Sequence, residues 1–165
     1  MMKFSHIVIV FITFFASAGM AVSQTSSGTQ EYGDGGAYEG EFLNGLPHGN
    51  GTYELPNGYR YVGEWFEGEI NGQGEALFPN GSVYIGSFVK GKPEGSGKIT
   101  FTDGGTYEGE WANGSITGEG YAKYANGTTY QGTFLDAMHD GKGIMKSPDG
   151  YIYDCLLYTS PSPRD

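Results

Sequence analysis

The segment that comes nearest to a known chemical motif is rich in glycine and lysine. Residues 91–98 read Gly-Lys-Pro-Glu-Gly-Ser-Gly-Lys. A phosphate-binding loop requires G-x-x-x-x-G-K-[ST] at the start of a helix, where backbone N–H groups surround the phosphate. Here the glycine spacing is one residue too long, and Ile99 stands where serine or threonine is needed. The segment is therefore predicted to be a hairpin turn and not a phosphate site.

Histidines with nearby carboxylates are the next candidates, because these groups are common metal ligands. His48 and His139 lie far apart in the chain, and only His139 has close acidic neighbours, Asp136 and Asp140. This spacing matches neither the zinc nor the calcium motifs, and it is typical of polar surface turns. We predict no metal site and no cofactor.

Glutamates that alternate with other residues form a third group: Glu39, Glu41, Glu64, Glu108 and Glu110. A carboxylate pair can hydrolyse glycosidic bonds, but this chemistry needs a cleft and one carboxyl held protonated. Regularly repeated glutamates more often keep an exposed sheet surface soluble. Since no catalytic constellation emerges, the chain is predicted not to be an enzyme.

The charge of the chain restricts its partners. The formal net charge is −10, from 19 acidic and 9 basic residues. Nucleic acids and anionic membrane surfaces attract basic patches, so nucleic acid is excluded and such a membrane surface is disfavoured. Residues 38–83 carry a net charge of −6 and residues 84–152 only −2. A cationic protein partner is expected to approach residues 38–83, with Glu39, Glu41 and Glu64 as the partner-binding acidic face.

These groups are set in an internal repeat of 23 residues. Tyrosines recur at this interval, at Tyr38, Tyr61, Tyr84, Tyr107, Tyr130 and Tyr153. Two residues after the first five come Gly40, Gly63, Gly86, Gly109 and Gly132, and two further on come Phe42, Trp65, Phe88, Trp111 and Phe134. Five copies without an insertion indicate a repeat architecture.

The pattern Tyr-x-Gly-x-Phe/Trp, followed by a glycine pair, resembles the MORN (membrane occupation and recognition nexus) repeat. The resemblance covers five units, at 38–60, 61–83, 84–106, 107–129 and 130–152. Residues 24–37 are interpreted as a linker and a partial unit, and 153–154 as the start of a sixth. The family implies a scaffold of stacked hairpins with links to membrane-associated assemblies. Ala137 departs from the pattern at a turn glycine, as does Cys155 at the glycine after Tyr153.

The repeat can also be read physically, because alternate residues of a strand share a face. Tyr38, Gly40 and Phe42 share one face, with Glu39 and Glu41 on the other. A glycine between two rings indicates that something packs on its backbone, and rings of the neighbouring strand are the expected candidates. Each unit is a hairpin followed by a tight turn, so five units predict ten strands in an all-β, elongated solenoid. We expect a twisted, single-layer ribbon of stacked antiparallel hairpins.

The two ends of the chain do not follow the repeat. Residues 1–23 have a basic start, an apolar stretch from Ile7 to Phe15 and small residues at its end. This layout is typical of a secretory signal peptide, with cleavage after Ala18 or Ser23; the alternative is an uncleaved membrane anchor. Residues 155–165 correspond to the translation of a sequencing adapter and are expected not to be native, the alternative being a natural Ser/Pro-rich tail. The native array is then expected to continue beyond Asp154.

Three functions remain open from the sequence. The first is an exported scaffold, secreted, periplasmic or at the cell surface, that binds a protein partner. The second is the N-terminal accessory part of a larger enzyme, and the third is a structural or adhesive repeat protein. Four Asn-x-Ser/Thr sites, at Asn50, Asn80, Asn113 and Asn126, would accept glycans only in a eukaryote.

Overall fold

The computed structural model describes residues 24–157, and side chains as far as residue 154. All regular structure in this part of the chain is β-strand. The strands are β1 (Thr25–Glu31), β2 (Ala37–Leu43), β3 (Leu46–Glu54), β4 (Arg60–Phe66), β5 (Glu69–Leu77), β6 (Val83–Val89), β7 (Lys92–Thr100), β8 (Thr106–Ala112), β9 (Ser115–Lys123), β10 (Thr129–Leu135), β11 (Met138–Lys146) and β12 (Ile152–Leu157).

The strands form one sheet in which their order follows the sequence from β1 to β12. Each strand is antiparallel to the next, so the chain is an open meander of hairpins, as the repeat predicted. Five units account for the ten strands β2–β11. The partial unit before them adds β1, and Ile152–Leu157 adds β12, which pairs with β11. No helix in residues 24–157 is long and apolar enough to cross a membrane.

Two-residue turns join the strands within each unit. In the first unit Asn44 and Gly45 have φ angles of +53° and +82°. Positive φ at both central residues defines the type I′ turn, whose twist matches that of the flanking strands. At the fifth unit Asp136 and Ala137 adopt the same conformation, with φ of +49° and +62°. An alanine therefore occupies a position that favours glycine, as the departure at Ala137 indicated.

Five-residue turns join one unit to the next. In the turn from Leu55 to Tyr59, the N–H of Leu55 donates to Tyr59 O and that of Gly58 to Leu55 O. The Asn57 side chain closes the loop by accepting from the N–H of Tyr59 at 2.9 Å. The same pair of backbone bonds recurs at the other junctions, which explains the repeated glycines near Asn or Asp.

A β-bulge interrupts the hairpin register in every unit. In the first unit Gly40 is paired with Gly51, but Phe42 is paired with Pro47, so the return strand contains extra residues. Gly49 lies in this segment with a φ of +64°. Bulges re-aim side chains and leave backbone groups without ladder partners. The glycine pair of the repeat thus has two separate purposes, since one glycine makes the bulge and the other lies under a ring.

The two faces of the sheet differ completely. We name the face that carries the repeated tyrosines, glycines and Phe/Trp residues the ring face, and the opposite one the open face. Across the ring face, paired positions of β1–β11 form an unbroken row of glycines: Gly28, Gly40, Gly51, Gly63, Gly74, Gly86, Gly97, Gly109, Gly120, Gly132 and Gly143. The core of the protein lies on this face.

Candidate binding surfaces

The repeated tyrosines lie flat against the row of glycines. A methyl group added to Gly51 would collide with the ring of Tyr38, and one added to Gly40 would meet Gly51 Cα at 2.5 Å. The sequence predicted a neighbouring-strand ring on Gly40, the glycine between two rings, but in the structure such a ring covers Gly51 instead. At Gly40 the obstacles are different: the backbone of the paired strand and the hydroxyl of Tyr38.

Each tyrosine hydroxyl reaches past the glycine to a backbone carbonyl three residues further along its own strand. Tyr38 donates to Glu41 O at 2.8 Å, Tyr84 to Ser87 O at 3.1 Å and Tyr107 to Glu110 O at 3.0 Å. The five repeat tyrosines are at most 2% exposed. Burial raises the pKa of Tyr84 and of Tyr107 to about 12, because the charged phenolate would lose its hydration.

The Phe and Trp residues join neighbouring units into one ladder of rings. Within a unit, Phe88 packs edge-on against Tyr84 with centroids 5.0 Å apart. Between units, Trp111 packs edge-on against the same Tyr84 at 4.9 Å. Each of Tyr38, Tyr61, Tyr84 and Tyr107 is thus held from both sides in this way. Edge-to-face pairs add to the stabilisation from burial, which is about 1.5–3 kcal/mol for each large side chain.

A shallow, open groove of about 300 Å³ lies beside this ladder on the ring face, near the N-terminal units. Its aromatic wall consists of Tyr32, Tyr53 and Trp65. The ring of Tyr53 lies between the other two, 5.7 Å from Tyr32 and 6.0 Å from Trp65, and it is nearly perpendicular to both. Tyr32 and Tyr53 are only half-buried. Unlike the repeat tyrosines, these two rings remain available to a ligand.

The two tryptophans of the chain occupy the same position of the repeat but have different surroundings. The indole N–H of Trp111 donates to Gly97 O at 3.2 Å. The indole nitrogen of Trp65 is shielded from solvent and has no hydrogen-bond partner among the described residues. Tyr53 contacts Trp65, whereas the corresponding residue of the later unit is Ile99. A buried donor without an acceptor is unfavourable, which distinguishes the Trp65 position from that of Trp111.

The glutamates proposed as an acidic face lie on the open face but differ in their contacts. Glu41 accepts from the backbone N–H of Asn50 at 3.1 Å, and Glu64 from that of Gln73 at 2.6 Å. Both bonds lie at the bulges, where the side chain supplies the acceptor that the interrupted ladder lacks. Glu39 is exposed and faces Thr29 and Thr52 on its two neighbouring strands. The structure therefore gives two of the three carboxylates a role in the hairpin itself.

The two histidines of the described residues, His48 and His139, are separated, and both lie near rings. His139 stacks on Tyr130 with centroids 3.7 Å apart, and its Nε2 is 2.6 Å from the hydroxyl of Tyr124. Burial lowers the pKa of His139. His48 lies against Phe66 at 5.4 Å. Within residues 24–154, the His, Asp and Glu side chains form no group of three or more that could hold a metal ion.

The sequence did not single out Tyr32 and Tyr53, although one signal was available. The position of Tyr53 is occupied by Ala76, Ile99, Ala122 and Met145 in the later units. A bulky ring at a position that is otherwise aliphatic marks the first unit as different. Tyr32 is 33 residues from Trp65 and precedes the first full unit, so its proximity becomes visible only in the folded sheet.

These features define a solenoid of stacked β-hairpins whose rings and glycines form a ladder along one face. The family model of the MORN repeat matches residues 38–58, 61–83, 84–106, 107–129 and 130–150. The chain belongs to the MORN repeat family, and its repeated part is a non-catalytic module.

The solved structures that are similar to this chain include the following two domains. The first is the TCP domain of SAS-4 (dCPAP) from Drosophila melanogaster, in complex with a proline-rich motif of Ana2 (dSTIL). It has 13% identity and a TM-score of 0.43, covering 89% of this chain and 99% of that one. The second is the TCP10 domain of CPAP from Danio rerio, in complex with a peptide of STIL. It has 16% identity and a TM-score of 0.40, covering 84% of this chain and 71% of that one. No curated protein matches the chain in sequence.

Proposed function

We propose that this chain is a non-catalytic scaffold of an exported protein and that it binds a protein partner through its N-terminal units. The observation that carries the proposal is the aromatic groove at Tyr32, Tyr53 and Trp65. Along the rest of the ladder, the repeat tyrosines are closed off by their own hydrogen bonds and by neighbouring rings. Half-buried aromatic side chains in a concave site are typical of protein recognition surfaces.

The acidic open face supports the same proposal as a steering surface. Glu39 is exposed there, and the side chains of Glu41 and Glu64 accept backbone hydrogen bonds at the bulges on the same face. A net negative field raises the rate at which a basic partner meets the sheet, and it repels nucleic acid and anionic lipid. The proposed partner is therefore a protein with a basic surface.

Partner capture followed by titration tests the binding function. The full chain is immobilised, bound proteins are identified by mass spectrometry, and each is purified and titrated by calorimetry. We expect one partner that binds saturably with a Kd of about 1 µM or tighter. Failure of every purified candidate to saturate would contradict the proposal. Turnover of a bound candidate by the purified chain would contradict the non-catalytic part of the proposal.

Export has its own test, because it depends on residues 1–23, which lie outside the described residues. Cleavage after Ala18 or Ser23 would leave a mature protein that begins at Gly19 or Gln24. We expect mass spectrometry of the protein from its source to find one of these N-termini in an exported fraction. A chain that retains residues 1–18 in a membrane fraction would indicate an anchor, and one in the cytosol would contradict export.

A further inference from the structure

The aromatic groove has a charged rim in addition to its three rings. Its remaining principal lining residues are the buried Ile70 and, at the outer edge, the exposed residues Glu69 and Lys90. Glu69 is paired with Phe66, so its side chain lies towards the open face. Asp34 lies beside the rings, because its carboxylate and the hydroxyl of Tyr53 both stand over Gly36. The groove thus combines ring faces with the carboxylate of Asp34 beside them, and Glu69 and Lys90 lie at its outer edge.

The charge around the groove favours a cation strongly. Residues 24–83, which contain most of its lining, carry nine acidic groups and only Arg60 as a basic one, a net charge of −8. Residues 84–154 carry nine acidic groups and six lysines, a net charge of −3. The side chain of Arg60 is itself paired with Glu54 at 2.8 Å. A positively charged side chain approaching these units therefore competes mainly with Lys90 at the edge of the groove.

The rings select among cations. A cation over the face of a tryptophan or tyrosine is attracted by the negative charge of the ring face. Arginine suits such a site better than lysine, because its planar guanidinium stacks on rings and is more weakly hydrated. Its five donors can also reach a carboxylate at the rim while the plane stays on the ring.

The same chain contains a position that lacks these features. The residues found 46 positions after Tyr53, Trp65, Glu69 and Lys90 are Ile99, Trp111, Ser115 and Asp136. There the tryptophan keeps its place in the ladder and its N–H is bonded to Gly97. Ile99 replaces the ring of Tyr53 and Ser115 replaces Glu69. The surroundings of Trp111 therefore serve as an internal control for binding at Trp65.

We propose that the aromatic groove binds an arginine side chain carried on an extended basic segment of the protein partner. This inference rests on the proposed function and adds the place and chemistry of recognition. The arginine lies against Tyr53 with its guanidinium directed to Asp34, and further basic residues of the segment face the acidic field of Glu69 and the first units. A second copy of the chain is a poor occupant, because its net charge of −10 is repelled by this region.

Peptide titration with an NMR readout tests the proposal on the full chain. The probes are four extended Gly/Ser peptides with a central arginine, citrulline, lysine or glutamate. The chain has two tryptophans, so its indole N–H signals number two, and Trp65→Phe assigns them. We expect the arginine peptide to shift the Trp65 signal and leave that of Trp111 unchanged. Citrulline, which has the same shape without the charge, should bind at least fivefold more weakly.

Variants taken from the later unit keep the fold while they change the groove. Tyr53→Ile and Glu69→Ser reproduce the residues at Ile99 and Ser115, and each should weaken the arginine peptide at least threefold. Lys90→Gln should strengthen it about twofold, since it removes a like charge. Trp111→Phe is the matched control, because phenylalanine occupies this position at Phe88 and Phe134, and it should change nothing.

Several results would overturn the proposal. Equal binding of arginine and citrulline would exclude a charged ligand, and equal binding of lysine would exclude recognition by ring stacking. Tighter binding of the glutamate peptide, or weaker arginine binding by Lys90→Gln, would indicate an acidic ligand. If an identified partner binds Tyr53→Ile and Glu69→Ser as well as the unchanged chain, the groove is refuted and the protein-binding function stands. If the arginine peptide binds at Trp65 but no protein partner is found, the arginine site stands and the protein-binding function is refuted.

Discussion

The two faces of this sheet are made by alternate residues of the same strands, yet only one of them is fixed by packing. On the ring face, the five units repeat tyrosine, glycine and a large ring with little variation. On the open face, the residue after each tyrosine is Glu39, Val62, Ile85, Glu108 and Gln131 in turn. A buried ring leaves no space for change, whereas a solvated side chain tolerates it. The ring face therefore determines the fold, and the open face, apart from the glutamates at the bulges, is free to acquire surface properties.

The largest effect is expected from placing a methyl group in the glycine row. In Gly97→Ala the new Cβ would collide with the ring of Tyr84, which is fully buried and hydrogen-bonded to Ser87 O. Overpacking and loss of that hydrogen bond should lower the free energy of unfolding by about 4 kcal/mol, measured by urea denaturation. Gly28→Ala is the control from the same row, because its Cβ would meet only Phe42 at 3.7 Å. Equal losses in the two variants would mean that the rings do not enforce the glycines.

Alkaline pH should weaken the ring face without any substitution. The folded pKa of Tyr84 and of Tyr107 is about 12, above the ordinary value of 10.0, so these groups keep their protons when the unfolded chain has lost them. The stabilisation is complete below pH 10 and is lost as the pH rises from 10 towards 12. Each tyrosine contributes about 1.4 kcal/mol per pH unit in that window, or about 3 kcal/mol for the two at pH 11. Urea denaturation at pH 9 and pH 11 measures the difference, and an unchanged midpoint would contradict it.

A smaller effect, here an increase in the free energy of unfolding, is expected at the turn of the fifth unit, which belongs to neither face. Ala137 has a φ of +62°, and replacing it with glycine relieves the steric cost of that conformation. Ala137→Gly should raise the free energy of unfolding by about 1 kcal/mol. The reverse change at the third unit is Gly91→Ala, whose Cβ would lie in open space on a backbone with a φ of +75°. It should lower the free energy of unfolding by a similar amount. Relative to the unchanged chain, we expect the denaturation midpoint to rise for Ala137→Gly and to fall for Gly91→Ala.

These differences explain how far the sequence could predict the structure. The 23-residue period and the alternation within Tyr38–Phe42 were sufficient for the strands, the antiparallel order and the buried face, because each depends on local spacing. The tyrosine-on-glycine packing was predicted only in outline. The ring of Tyr38 covers Gly51 of the next strand, and that pairing depends on the register of the folded hairpin.

The candidate site was less accessible from sequence. The glutamates Glu41 and Glu64 were interpreted as surface charges, but the bulge that gives them backbone partners interrupts the alternation on which that reading relied. A glycine with positive φ such as Gly49 is the local signal for the bulge. The aromatic groove joins Tyr32 to Trp65 across separate units, so no short window of sequence contains it.

The smallest effect separates two kinds of glutamate on the open face. Glu64→Ala removes the acceptor for the N–H of Gln73 at the bulge and should lower the free energy of unfolding by about 1 kcal/mol. Glu39→Ala removes an exposed carboxylate between Thr29 and Thr52 and should change it by less than about 0.5 kcal/mol. Denaturation curves of the two variants, recorded side by side at neutral pH, measure the difference. Equal values would mean that the bulge does not need its carboxylate, and the whole open face would then be free of structural constraint.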